Sequence, residues 1–403
     1  MIRNSLCFNR QKYRKIYCLI FSLLIVVLCL FFSCRTEFVF AESGNDNSLK
    51  LSQVVMQVLE GVDFGELESV VEELDTLDLF KSGIKDKVSQ ILSGDFFTDY
   101  SNLFKKIINV LIVDIREFLP FLFTILAIGI LASLVNEFKG SNDTSDIIHF
   151  VCMCVMVITI IFVFKDILSL VSATLNTLLK QMEILFPILL TLMTAIGSFT
   201  TISIYNPLVA VLTTLVGFVF DKLLFPVFIV VFVLAILGNL TDTIKLNKLQ
   251  SFLTSVFKLT IGIIFTLFTG FLSIQGITAG RYDTVSIKAT KFAVKSYIPI
   301  IGSYISDGMD FLVLGSVLVK NTIGLVGVFI LFLTVISPII SIVIVKLGFQ
   351  LCGAILEMCG SRRLSDFTIS CSKLLVMPIV IILGVAFMYL ITIALIMCTA
   401  NIF

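Results

Sequence analysis

The chain has 403 residues, 58% of them hydrophobic and 14% charged, with a formal net charge of +1. Its mean hydropathy is +1.08, whereas an average soluble domain carries about 25% charged residues. That balance argues against a soluble globular protein, which could not hide so much apolar surface, and against a nucleic-acid partner, which needs a basic face. One His, His149, and no Trp make a His-based metal site or catalytic triad improbable.

The N-terminus reads as a secretory leader. Arg10, Lys12, Arg14 and Lys15 precede an apolar run from Ile16 to Phe32, and Val39 and Ala41 fit a small-residue cleavage site. Residues 1–41 are therefore expected to be a signal peptide. The rival is an uncleaved anchor, and "LFFSC" before Cys34 makes a poor lipidation site. Residues 42–106 form an acidic stretch with Glu60, Asp63, Glu66, Glu68, Glu72, Glu73, Asp75 and Asp78. Scarce Lys and Arg beside a span suit the outer side of a membrane. Leu49, Val54, Val58, Leu67, Val70, Val71 and Leu74 are spaced for short amphipathic helices. The bland reading is a helical cap with a solvated face, and the sharper one a docking surface outside the membrane.

Residues 107–403 are expected to form an all-α, polytopic body of about six to eight transmembrane helices, since a bilayer core of about 30 Å takes roughly 20 residues. The spans expected are Phe118–Val135, Ile147–Phe164, Ile184–Ile202, Asn206–Phe220, Leu223–Leu240, Leu259–Ala279, Thr322–Val345 and Leu374–Cys398. The pieces Phe311–Val319 and Leu347–Leu356 are too short to cross alone and read as half-helices or re-entrant segments. Asp221 and Lys222 are the only charged residues between Glu183 and Asp242. They read most simply as the tip of a tight helical hairpin, with a polar break inside a bundle as the alternative. Three basic segments, Thr241–Lys258, Gly280–Asp310 and Lys346–Lys373, all look cytoplasmic, yet single spans between them would alternate sides. Of the ten cysteines, none lies between Ala41 and Ile108, so a disulfide framework is not expected. Cys152 and Cys154 read as buried small apolar residues rather than a metal or redox pair.

A weak echo pairs "LQSFLTSVFKLTIGIIF" (249–265) with "LSDFTISCSKLLVMPIV" (364–380). Between them, residues 280–310 form a basic amphipathic connection. Gly276 and Gly280 make a small-xxx-small pair that permits close helix approach. Arg281 opens the segment, and Lys288, Lys291 and Lys295 share a face beside Val285, Ala289 and Phe292. Such a helix suits an anionic membrane surface. Asp283, Asp307 and Asp310 are candidates for a buried polar element. No nucleotide, hydrolase or metalloprotease motif occurs, so no catalytic, cofactor or metal residue is assigned, and the chain is not expected to be an enzyme.

The stretches "FDKLLFPVF", "LGNLTD", "KLNKLQSF" and "GITAGRYDTVSIKATKFAVKSYIPIIGSYISDGMDFL", following a leader and an acidic region, resemble the stage III sporulation protein AE family of endospore-forming bacteria. The resemblance covers nearly the whole chain and is strongest from about Phe220 to Gly324. It implies a protein made in the mother cell and placed in the membrane around the forespore, with its N-terminal region in the intermembrane space. It implies a specialised secretion-like or feeding channel complex that sustains the forespore and its late gene expression. The implied partners are sister stage III sporulation proteins of the same operon, including a secretion-type ATPase and ring-forming proteins, a forespore membrane protein, and membrane lipid. The family has no established catalytic residues to carry over. A free-standing small-solute transporter is the alternative function.

Overall fold

In an apolar environment every backbone N–H and C=O must be bonded within its own segment, so long apolar runs become helices. The computed structural model describes residues 100–137, 142–240, 246–297 and 302–399, with short stretches between 55 and 85. The expected signal peptide and most of the acidic region lie outside the described residues.

Among the described residues from Tyr100 on, every regular element is helical: α1 (Tyr100–Glu137), α2 (Asn142–Ile196), α3 (Phe199–Val219), a π turn (Phe220–Leu224), α4 (Phe225–Leu240), α5 (Asn247–Tyr297), α6 (Gly302–Met358), α7 (Arg362–Leu374) and α8 (Val376–Cys398). Among the described residues, six helical segments are long and apolar enough to cross a membrane. The protein is an all-α polytopic membrane protein, as the sequence pattern predicts.

The segmentation differs from the expectation. Ile147–Phe164 and most of Ile184–Ile202 belong to one 55-residue helix, α2. Phe311–Val319, Thr322–Val345 and Leu347–Leu356 belong to one 57-residue helix, α6, so the two short pieces are not separate re-entrant elements. The charges Lys165, Asp166, Lys320 and Lys346 interrupt the apolar pattern, but a charge is not a helix breaker, and no glycine–proline punctuation accompanies them. The basic segment is likewise no separate helix. Residues 281–297 continue α5 without a break, and 302–310 open α6.

The chain reverses where glycine allows it. Gly197 has φ 86° and Gly360 φ 86°, the left-handed region that favours glycine. After α2, Ser198 N–H donates to the Met193 carbonyl and Gly197 N–H to that of Thr194. After α6, Ser361 N–H donates to the Leu356 carbonyl and Gly360 N–H to that of Glu357. Both are the paired bonds of a Schellman stop, and in both a serine then opens the next helix. A long helix, a Gly-Ser turn and a broken returning helix thus occur twice. The elements that repeat match α5 with α1 and α7–α8 with α3–α4. The sequence echo of 249–265 with 364–380 does not follow that order.

Helix α6 is the central element, touching α1, α2, α5, α7 and α8. It runs antiparallel to α2, with Gly327 against Leu185 and Gln181 Nε2 donating to Thr334 Oγ1 at 2.8 Å. A Cβ on Gly327 would sit 2.3 Å from Leu185 Cδ2, so the Leu185 side chain fills the space that a side chain at position 327 would need. Replacing Gly327 by Leu is expected to destabilise the folded chain by about 1–3 kcal/mol, the usual scale of overpacking, measured by denaturant unfolding in micelles. Unchanged stability would show that the α2–α6 contact gives way easily.

Candidate functional site

Four helix pairs bring the charges of this apolar body into one zone a few turns deep. Phe118 of α1 packs edge-on against Phe349 of α6 at 5.7 Å, with exposed Arg116 and Glu117 beside it. Asp114 accepts a hydrogen bond from Ser341 of α6 at 2.5 Å. Phe164 of α2 stacks on Phe228 and Phe232 of α4, with exposed Lys165 and Asp166 immediately after it. Ser372 donates to the Lys346 carbonyl at 3.1 Å, joining α7 to α6 beside exposed Lys373. From the Gln181–Thr334 contact, α2 and α6 each run on roughly fifteen residues, about 22 Å of helix, to reach Asp166 and Phe349, and Thr368 of α7 meets Met156 of α2, so the levels agree to within a few turns. The result is a belt of charge around the middle of the helical body. Charges gathered in one zone of an apolar protein mark contact with water or headgroups, because each is costly in hydrocarbon.

Asp221 and Lys222 lie near this belt, in the π turn, and the chain does not reverse there. Val219 (φ −65°, ψ −41°) and Phe225 (φ −62°, ψ −49°) are both helical, and Phe225 N–H reaches back to the Phe220 carbonyl. The hairpin-tip expectation is therefore overturned. The physical reason is Pro226, which has no N–H for the Lys222 carbonyl and whose ring would crowd it in a regular α-helix. Widening the preceding turn relieves the clash, and π turns of this kind recur at functional positions. Lys222 is exposed, and the Asp221 side chain lies outside the described residues.

The end of the molecule at the Gly197 turn carries a buried carboxylate. Asp283 of α5 is 1% exposed, and its two oxygens accept the backbone N–H groups of Thr200 and Thr201, each at 2.9 Å. Those are among the first free donors of α3, whose own preceding residue, Ser198, makes no side-chain cap. Asp283 thus caps a helix from another element, joining a negative charge to the positive end of the α3 dipole. Asp283 is a buried polar element, as the sequence allowed, but it holds a helix rather than lining an opening. Lys291 pairs with Asp310, tying the last turns of α5 to the first turns of α6. Lys288 and Lys295 are exposed, with Val285 and Phe292 beside them. Gly276, Gly280 and Arg281 lie within α5 and Asp307 within α6; their side chains are outside the described residues.

Sequence reasoning did not single out Lys320 as a site. It is 0% exposed and donates to the carbonyls of Met397 at 3.2 Å and Thr399 at 2.5 Å. These are unsatisfied acceptors at the end of α8, where the dipole favours a cation. The available signal was its isolation, since no other ionisable residue lies between Asp310 and Lys346. Among the described residues no cluster of three or more His, Cys, Asp or Glu side chains could hold a metal. Cys152, Cys154, Cys352, Cys359 and Cys371 are thiols.

Asp283→Ala leaves two helix donors without an acceptor, at a cost of about 1–3 kcal/mol. Hydrogen exchange at the Thr200 and Thr201 amides is expected to accelerate. Exchange unchanged from the parent would show that α3 does not depend on the cap.

A family model described as stage III sporulation protein AE matches residues 82–400. The stage III sporulation protein AE of Bacillus subtilis (strain 168) is 26% identical over 231 residues, covering 57% of this chain and 58% of that protein. The chain therefore matches little more than half the length of that relative. No solved structure matches the chain. With a match across nearly all of its helical body, the chain belongs to the stage III sporulation protein AE family.

Proposed function

We propose that this protein is an integral membrane subunit of a channel-type complex between mother cell and forespore. In this reading it sits in the mother-cell membrane around the forespore, with its N-terminal region in the intermembrane space. It acts as structural wall rather than enzyme. Its partners would be the sister stage III sporulation proteins of the same operon, a secretion-type ATPase and ring-forming proteins among them, and a forespore membrane protein. Lipid would surround it, and nucleic acid would not bind it.

The observation that carries the reading is one of length. Helices of 55 and 57 residues run for roughly 80 Å, against a hydrocarbon core of about 30 Å. Such helices reach well outside the lipid, and apolar surface there needs cover from protein. A subunit embedded in a larger assembly meets that requirement.

Deleting the coding sequence in the host and imaging sporulating cells tests the proposal. Engulfment should finish, after which the forespore shrinks and a late forespore reporter stays dark. Normal spores would sink the proposal and move the small-solute transporter reading forward.

A further inference from the structure

We propose that one face of α2, from Lys165 to Ala195, meets water within the membrane and forms part of the wall of a polar passage. The exposed side of α2 changes character at the charged belt. Before it, the exposed residues are large and apolar, such as Phe150, Val155, Ile158 and Phe162. After it they are polar, small or proline, with Lys165, Asp166, Asn176, Lys180, Glu183 and Thr191 among them. Their spacing of three or four residues keeps them on one stripe of the helix. No large hydrophobic side chain is exposed among the described residues between Phe162 and Phe199. On α3, Ser203, Asn206 and Thr214 are exposed as well.

At the same height the neighbouring surfaces are apolar. Phe186 of α2 meets Tyr389 of α8 at 5.5 Å, and Phe387 of α8 meets Phe265 of α5 at 4.6 Å. Exposed Ile263 and Leu267 of α5 are therefore level with Glu183 and Thr191. On α3, a Cβ on Gly217 would lie 3.3 Å from Leu179, which sets exposed Leu215 and Phe218 level with Lys180. A surface uniformly in water would not place large apolar side chains beside this stripe. A surface uniformly in lipid would not expose four charges. Apolar and polar faces side by side at one depth are what a protein shows when lipid lies on one side and a wet cavity on the other. The charges come as Lys165 with Asp166 and Lys180 with Glu183, so each level of the stripe has no net charge. Such a wall suits water and small polar solutes more than ions of one sign. One stripe encloses nothing by itself, so another chain supplies the opposite wall, and the inference rests on the conduit reading above.

The test is thiol labelling of the full chain in liposomes. Asn176→Cys and Thr191→Cys on α2 are compared with Leu267→Cys on α5, and Ser169→Cys repeats the α2 test nearer the belt. A charged maleimide is applied on both sides of the membrane, and modification is read peptide by peptide. Native Cys352 and Cys371, both 0% exposed, serve as unreactive references. Thiolate forms in water but not in hydrocarbon, so the α2 sites should react at least about 100-fold faster than Leu267→Cys. Equally slow reaction at all sites would overturn the proposal, because the α2 stripe would then be covered by lipid or protein. Equally fast reaction would overturn it too, because this level would then lie outside the bilayer. The liposome result is independent of the deletion phenotype, so the passage wall and the sporulation role can fail separately.

Discussion

The antiparallel contact between α2 and α6 is the one on which the other helices depend. Two helices, each far longer than a bilayer is thick, lie close enough that position 327 has no room for a side chain against Leu185. Around this pair, α1 docks through Phe118 on Phe349, α4 through Phe228 and Phe232 on Phe164, and α8 through Tyr389 on Phe186. Each of these contacts takes its height from the register of α2 against α6. A slip of one turn, about 5.4 Å, would part Gln181 from Thr334 and bring a side chain to the place where Gly327 now meets Leu185.

Among the described residues, the buried charges Asp283 and Lys320 are met by helix ends. Asp283 meets helix N–H groups, and Lys320 meets helix carbonyls. Helix ends in an apolar protein are a problem and a resource at once. They leave polar groups unbonded, and those groups carry partial charge of a fixed sign. Placing a carboxylate at a beginning and an ammonium at an end resolves both difficulties together. These contacts also fasten parts of the chain remote in sequence: α5 to the start of α3, and α6 to the end of α8.

Much of this architecture was legible in the sequence. The all-α membrane body and the apolar runs follow from composition and length. The charges were harder to interpret. Asp221–Lys222 looked like a hairpin tip because charged residues usually mark a surface, and here the surface lies along the side of a continuing helix. Punctuation was the better guide to reversal, for the turns fall at Ile-Gly-Ser and Cys-Gly-Ser. The three basic segments that defied a simple topology are also explained in part. Gly280–Asp310 and Lys346–Lys373 sit toward opposite ends of α6, because that helix runs unbroken between them. The cap on α3 was not readable, since nothing local to Asp283 indicates that the start of α3 lies beside it. The α2 stripe escaped notice because hydropathy averaged over a window hides which side of a helix each residue occupies.

The central place of α6 has a consequence for how the chain is made. Helices α1 to α4 contact one another within the first 240 residues, so they can begin to assemble as they enter the membrane. Yet the surfaces of α1 and α2 that receive α6 stay uncovered until that helix has been synthesised. Roughly 160 residues separate the end of α2 from the end of α6. At about 5–20 residues per second, that is an interval of some 10–30 s. During it Phe118 and Leu185 have no native neighbour on α6, and only lipid or an insertion factor can cover them. The late arrival of the central helix makes this interval the period in which the nascent chain is most open to mispairing.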